Sequence, residues 1–155
     1  MAVRITSNIS SSPSLRSLVP KNEISFRPVN QYDGTAIKRL YHADNLDVLN
    51  YLIKDSKVCG KVDLIYIDPP YNTGGAFETR DFIHAYDDKY STDEYIRFMQ
   101  VRLKLLHTLL SAEGSIYVHL DSNMVFHVKI LMDDIFGVKN FRGMITRKKC
   151  KSKNF

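Results

Sequence analysis

The residues with the clearest chemical potential are four consecutive ones, Asp68-Pro69-Pro70-Tyr71, which follow the apolar run Val62–Ile67. Such a run is typical of a strand covered on both faces, and ligands of open α/β sheets bind at the carboxyl ends of strands. The two prolines stiffen the turn and remove two N–H donors, so the turn is rich in acceptors. A carboxylate and a fixed carbonyl beside an aromatic ring can bind the amino group of a planar base. Taken alone, the four residues leave simple punctuation after a strand as the alternative.

The elements around this turn alternate between strands and helices. Strands are expected at 39–43, 62–67 and 115–120, and helices after Asp44, after the capping box of Ser91 with Glu94, and after Asp121-Ser122-Asn123. The alternation predicts an α/β fold with a mostly parallel sheet and helices on both faces. Glu113-Gly114 is expected to turn the chain into the last strand, and 74–90 to form a loop at the mouth of the site.

Composition indicates one cytoplasmic domain. The chain has 155 residues, 44% of them hydrophobic, and a net charge of +5 with five cationic side chains in 147–153. A basic run favours a polyanionic partner, although a solvated terminus is the simpler alternative. Cys59 and Cys150 have no metal-binding spacing, so we expect no metal and two free thiols. No apolar run is long enough to cross a membrane.

The turn and its flanks, from Val62 to Gly74, resemble the catalytic motif of the amino-group DNA methyltransferases. The resemblance spans about 40–145 and continues in 82–88, 99–103, 114–121 and 135–141. Its order is similar to that of the permuted subgroup, which includes type III modification subunits. The resemblance implies part of a Rossmann-like methyltransferase fold that is incomplete at the carboxyl terminus. It divides the chain into a flexible lead-in (1–30), a catalytic half (31–146) and the start of a DNA-recognition region (147–155).

The activity that the resemblance implies is methylation of adenine at N6, with S-adenosyl-L-methionine as the methyl donor. Asp68 and the Pro69 carbonyl would hold the amino group of a flipped adenine, Pro70 would stiffen the turn, and Tyr71 would stack on the base. Aspartate at this position is more similar to the adenine enzymes than to the cytosine-N4 enzymes, which usually carry serine. Methylation of cytosine N4, of RNA or of a protein amide remains an alternative.

Several further residues have two interpretations each. Asp44 is expected to contact the adenosine part of the cofactor, together with Asp68, or simply to cap a helix. Asp121 is either a pocket residue or a helix cap. Tyr86, Asp87 and Asp88 either close over the base or lie in a solvated loop. His119, within an apolar strand, is expected to be a core histidine rather than a base. The residues expected to contact double-stranded DNA are Arg147, Lys148, Lys149 and Lys151.

No Phe-x-Gly-x-Gly loop or comparable glycine loop occurs in the sequence. In the permuted subgroup that loop contacts the methionine part of the cofactor and lies beyond the recognition region. We therefore expect a fragment that is inactive alone and that depends on a carboxyl-terminal half. A DNA-binding remnant and one half of a split enzyme are alternatives, and a restriction subunit or a second copy of the chain remains an open partner.

Overall fold

The computed structural model describes residues 2–6, 39–72, 76–78, 84–87 and 90–147, with backbone only for 2–6, 76–78 and 84–87. The helices are α1 (Asn45–Leu52), α2 (Thr92–Leu109) and α3 (Val125–Phe136), and a short 3₁₀ helix covers Val138–Asn140. The strands are β1 (Ala2–Thr6), β2 (Val62–Ile67), β3 (Ala76–Glu78), β4 (His84–Asp87), β5 (Leu110–His119) and β6 (Phe141–Ile145).

The main sheet has four strands in the order β2-β5-β1-β6. β2 and β5 are parallel and are connected through α2, so the predicted α/β fold is confirmed. β1 runs antiparallel to both of its neighbours. Residues 2–6 were expected to belong to a flexible lead-in, and their place in the sheet is a correction. Val3, Ile5 and Thr6 are of types that favour strands, and β5 and β6 supply hydrogen-bonding partners on both sides.

The segment before α1 is not the strand that the sequence predicts. Residues 39–43 have no regular structure, and no described strand pairs with the free side of β2. A strand requires a neighbour to pair its backbone groups, and none lies beside this segment in the described part of the chain. The following helix is confirmed, with Asp44 as its N-cap: Asp44 Oδ1 accepts a hydrogen bond from Leu46 N at 2.7 Å.

One core contains buried side chains from all three helices and from one face of the β2–β5 pair. Ile65, Ile116 and Val118 lie on that face. On the other face of β2, Leu64 is 63% exposed and Tyr66 is 62% exposed. The expectation that this strand is covered on both faces is therefore wrong for the described residues, because their helices pack into a single core.

β5 begins earlier than the sequence predicts. The expected turn at Glu113-Gly114 is wrong: the strand runs without interruption from the end of α2 and contains an irregularity instead. Val62 pairs with Leu110 and Leu64 pairs with Ser115, so β2 advances by two residues where β5 advances by five. A Cβ atom at Gly114 would lie 2.7 Å from the Val62 carbonyl oxygen, so glycine is required for this close approach.

The helices that follow the site begin and end largely as predicted. Ser91 and Glu94 form the reciprocal capping box of α2, and Met99, Leu103 and Leu106 on its predicted stripe are buried. α3 ends at Gly137, whose φ is 86°, but its N-cap is Met124, with no side-chain cap. Part of the expected loop 74–90 forms the β3–β4 hairpin. Within the described ranges, no helix is long and apolar enough to cross a membrane.

Candidate functional site

The turn after β2 lines a cleft at the carboxyl end of the parallel strand pair. Its walls include Asp68, Pro69, Pro70 and Tyr71, the four residues predicted to be catalytic, and its volume is about 260 Å³. We call this the turn cleft. Its position agrees with the rule that α/β sheets bind ligands beyond the carboxyl ends of their strands.

Three polar side-chain atoms meet beside this cleft. The Tyr71 hydroxyl donates to Asp68 Oδ1 at 2.6 Å and lies 2.9 Å from His119 Nδ1, and His119 Nδ1 lies 3.0 Å from the same Asp68 oxygen. The Tyr71 and His119 rings are perpendicular, with their centroids 5.6 Å apart. The expectation that His119 is a core histidine is therefore wrong: its side chain is 39% exposed and contacts the predicted catalytic residues.

The register of the two parallel strands explains why His119 is in the site. Tyr66 pairs with Tyr117, and Ile67 pairs with Val118. Asp68 and His119, the residues that directly follow the second pair, therefore lie side by side. Sequence reasoning missed His119 because it considered β5 without the neighbouring strand β2. The signal that could have found it is that two neighbouring parallel strands end together.

The turn is braced by elements on several sides. The hydroxyl of Tyr95, a fully buried residue of α2, donates to the Pro70 carbonyl oxygen at 2.7 Å. Asn72 has a positive φ of 55°, its Oδ1 accepts from Tyr90 N at 2.8 Å, and its Nδ2 lies 3.9 Å from Met124 Sδ. Asparagine tolerates this left-handed conformation better than most residues. These contacts fix the direction in which the turn presents its acceptors.

Two acceptors of the turn are left available by these contacts. Pro70 O is bonded to Tyr95, whereas no described residue donates to Pro69 O. Asp68 Oδ1 is held by Tyr71 and His119, whereas no described residue donates to Asp68 Oδ2. One carbonyl and one carboxylate oxygen can therefore accept the two hydrogens of an amino group.

A second cleft of about 380 Å³ adjoins the first, and we call it the helix cleft because α1 and α2 form much of its wall. Its volume lies in the range of roughly 300–1,000 Å³ that is typical of small-molecule sites. Asp68 and Pro69 line both clefts. The remaining lining residues of the helix cleft are Tyr41, Ala43, Asn45, Val48, Leu49, Tyr66, Ile67, Phe98, Met99, Arg102 and Leu106.

Arg102 supplies positive charge to the wall of the helix cleft. Its guanidinium lies 3.6 Å from the centre of the Phe98 ring, and its Nε donates to Asn45 Oδ1 at 2.7 Å. Its Nη2 lies 3.5 Å from Asp44 Oδ1. Burial lowers the pKa of Arg102, and the charge of Asp44 raises it in part. Asp44 itself is 62% exposed, beside the cleft rather than among its lining residues.

Within the described part of the chain, the remaining predicted residues are not in contact with this site. Asp121 Oδ1 accepts from Asn123 N at 3.0 Å, so it stabilises the turn before α3. Arg147 is exposed just beyond β6. Lys148, Lys149 and Lys151 lie outside the described residues, as does Asp88, and only the backbone is described at 84–87.

Comparison with known proteins gives a consistent family match. The N6/N4 family model, described as DNA methylase, matches residues 62–155. The chain is 46% identical over 112 residues to the type II methyltransferase M.EcaI of Enterobacter cloacae, covering 72% of the chain and 24% of that protein. It is 43% identical over 118 residues to the probable type III restriction-modification enzyme HindVI Mod subunit of Haemophilus influenzae, covering 75% of the chain and 15% of that protein.

A third relative has the longest matched segment of these three. The chain is 36% identical over 139 residues to the type II methyltransferase M.KpnI of Klebsiella pneumoniae, covering 86% of the chain and 31% of that protein. The chain thus spans less than a third of the length of each of these three relatives.

Proposed function

The chain belongs to the N6/N4 DNA methylase family, and on that basis we propose that the turn at Asp68 is the methyl-transfer centre of a DNA methyltransferase. The observation that carries the proposal is that Asp68 and Pro69 line both adjoining clefts. A transferase needs its two substrates on opposite sides of the same reacting groups. The turn cleft would take the target base, and the helix cleft would take the methyl donor.

In the turn cleft, the base would be an adenine that has been flipped out of the duplex. Its N6 hydrogens would point to Asp68 Oδ2 and Pro69 O, the two acceptors that the described residues leave unbonded. The Tyr71 ring would stack on the base, and Asp68 would align the nitrogen lone pair and stabilise the positive charge that develops on it. Flipping is required because the reacting nitrogen is otherwise buried in the paired stack.

The helix cleft has the chemistry that the cofactor needs. S-adenosyl-L-methionine supplies an electrophilic methyl group bonded to sulfur, and transfer leaves the sulfur as a neutral thioether. The methylated amino group would then release one proton to solvent. Tyr41 and Phe98 offer apolar surface for its adenosine part, and Asn45 and Arg102 offer polar contacts. We propose that Asp44, beside this cleft, contacts the adenosine part in addition to capping α1. Asp68 would face the reacting methyl group.

The wider role is proposed from the relatives. One of them is named as the Mod subunit of a probable type III restriction-modification enzyme. We propose that the complete protein methylates adenine within such a system, with a restriction subunit as partner. The basic end of the chain, Arg147 with Lys148, Lys149 and Lys151, would contact DNA phosphates. Cytosine N4 is the second candidate acceptor, since the matched family includes both N6 and N4 chemistry.

Replacing Asp68 tests this proposal. In the complete methylase, meaning this chain assembled with the remaining methylase segment, Asp68→Ala should abolish methyl transfer and leave DNA binding intact. The substitution removes the amino-group acceptor and leaves the phosphate contacts. Transfer of labelled methyl groups to DNA and equilibrium DNA binding are measured in parallel. Asp134→Ala, an exposed carboxylate on α3, is the matched control and should retain transfer. Near-normal turnover by Asp68→Ala would overturn the assignment.

A further inference from the structure

With a carboxylate at Asp68, the contacts among Asp68, Tyr71 and His119 require a hydrogen on the His119 ring nitrogen that faces them. A tyrosine hydroxyl has a single hydrogen, and that of Tyr71 is donated to Asp68 Oδ1 at 2.6 Å. His119 Nδ1 then faces two oxygen atoms, at 2.9 and 3.0 Å, and neither has a hydrogen to give it. An unprotonated Nδ1 would place its lone pair against theirs. His119 Nδ1 must therefore carry a hydrogen.

We propose that His119 is a positioning residue for methyl transfer, and this proposal rests on the proposed function. Its Nδ1–H, together with the Tyr71 hydroxyl, holds Asp68 Oδ1 and so directs Oδ2 towards the amino group of the base. The held oxygen and the available oxygen belong to one planar carboxylate, so fixing the first fixes the direction of the second. His119 does not touch the base in this arrangement, because it acts through Asp68.

The same contact sets the direction of the Tyr71 ring. The hydroxyl is fixed at one end by Asp68 and His119, and the His119 ring lies perpendicular to the Tyr71 ring at 5.6 Å between centroids. Asp68 is 55% exposed on its side chain, so packing alone does not immobilise the carboxylate. The two hydrogen bonds from β5 and the turn supply the restraint that packing lacks.

The tautomer of His119 can be measured on the full 155-residue chain. Nitrogen-15 NMR at neutral pH distinguishes the protonated from the unprotonated ring nitrogen of a neutral imidazole. We expect His119 to carry its hydrogen on Nδ1 in the unsubstituted chain, and to lose that preference in Asp68→Ala, which removes the acceptor oxygen. His127, exposed on α3, is the internal reference in the same spectra. A His119 ring without a hydrogen on Nδ1 in the unsubstituted chain would overturn the proposal.

Two amide substitutions test the consequence for catalysis in the complete methylase. Asparagine places its N–H near the position of Nδ1, whereas glutamine places it near the position of Nε2. We expect His119→Asn to retain kcat within a few-fold, and His119→Gln and His119→Leu to lower kcat about 10- to 100-fold, since misplacing a reacting group by about 1 Å costs on the order of 100-fold. KM for DNA should change little, because the phosphate contacts are untouched.

The outcomes separate this proposal from the proposed function. Equal kcat values for His119→Asn and His119→Gln would overturn the positioning role, since a purely structural histidine does not distinguish the two amides in this way. The same amide pair at His127 should leave kcat unchanged. Absence of methyl transfer by the unsubstituted enzyme would instead overturn the proposed function, and the NMR result would then decide whether His119 holds Asp68.

Discussion

At the scale of single residues, Tyr71 has two separate functional groups, an aromatic ring and a hydroxyl. Its ring offers a face on which a base can stack, and its hydroxyl is bonded to Asp68 and adjacent to His119. Removing the ring and removing the hydroxyl should therefore have different effects. The ring contributes to binding of the base, and the hydroxyl contributes to the orientation of the carboxylate.

A substitution series at Tyr71 separates these two contributions. Tyr71→Ala should weaken binding of the target base by about 1–3 kcal/mol, while Tyr71→Phe and Tyr71→Trp retain most of that binding. Tyr71→Phe should still lower kcat, because Asp68 Oδ1 loses a donor. Equilibrium binding and single-turnover rates of the complete methylase measure the two quantities. Equal losses of binding in all three variants would show that stacking is not the function of the ring.

A site residue could be predicted from the sequence where the residues that define its role are contiguous with it. The turn Asp68-Pro69-Pro70-Tyr71 could be predicted because its acceptors, its rigidity and its strand are contiguous in the sequence. His119 is 51 positions from Asp68, and only the strand register brings the two together. The irregularity in β5 around Gly114 means that counting residues along the strands does not reveal this register.

At the scale of elements, α2 was predictable from local signals and the sheet was only partly so. A capping box and a 3.6-residue period are visible within one segment, and both are present as expected. The pairing of β1 between β5 and β6 depends on partners more than 100 positions away. The segment 39–43 shows the opposite case, in which a strand-like pattern lacks a described partner.

The contact between α2 and α3 predicts a pH dependence of stability. His107 of α2 packs edge-on against Phe136 of α3, with ring centroids 5.0 Å apart, and burial lowers its pKa below the ordinary value of 6.5. The unfolded state therefore binds more protons as the pH falls below 6.5, so this contribution to stability is complete above 6.5 and decreases towards the lower folded pKa. We expect the free energy of unfolding in urea to decrease from pH 7.5 to pH 5.5.

A leucine substitution isolates this effect. His107→Leu should reduce the decrease in stability between the two pH values, and His127→Gln, at an exposed position of α3, should leave it as in the unsubstituted chain. An unchanged pH dependence in His107→Leu would mean that other groups account for it.

At the scale of the whole molecule, the described residues form one core, and one edge of their sheet has no described neighbour. β2 has no described neighbour on its free side, and Leu64 and Tyr66 are exposed on its uncovered face. The helix cleft opens beside this edge, and Tyr66 is one of its lining residues. Under the proposed function, we expect a further segment of the methylase to enclose the cofactor. This agrees with the chain covering 15% to 31% of the three relatives described above.

The most direct measurement of the central claim is to identify the nucleoside that receives the methyl group. DNA is incubated with labelled S-adenosyl-L-methionine and the complete methylase, digested to nucleosides, and separated by chromatography with mass detection. We predict label in N6-methyldeoxyadenosine, and none when the 155-residue chain is used alone or when Asp68 is replaced by alanine. Label in N4-methyldeoxycytidine instead would contradict the assignment to adenine. Absence of label from every nucleoside with the complete methylase, or equal labelling with Asp68→Ala, would contradict the claim that this turn is the methyl-transfer centre.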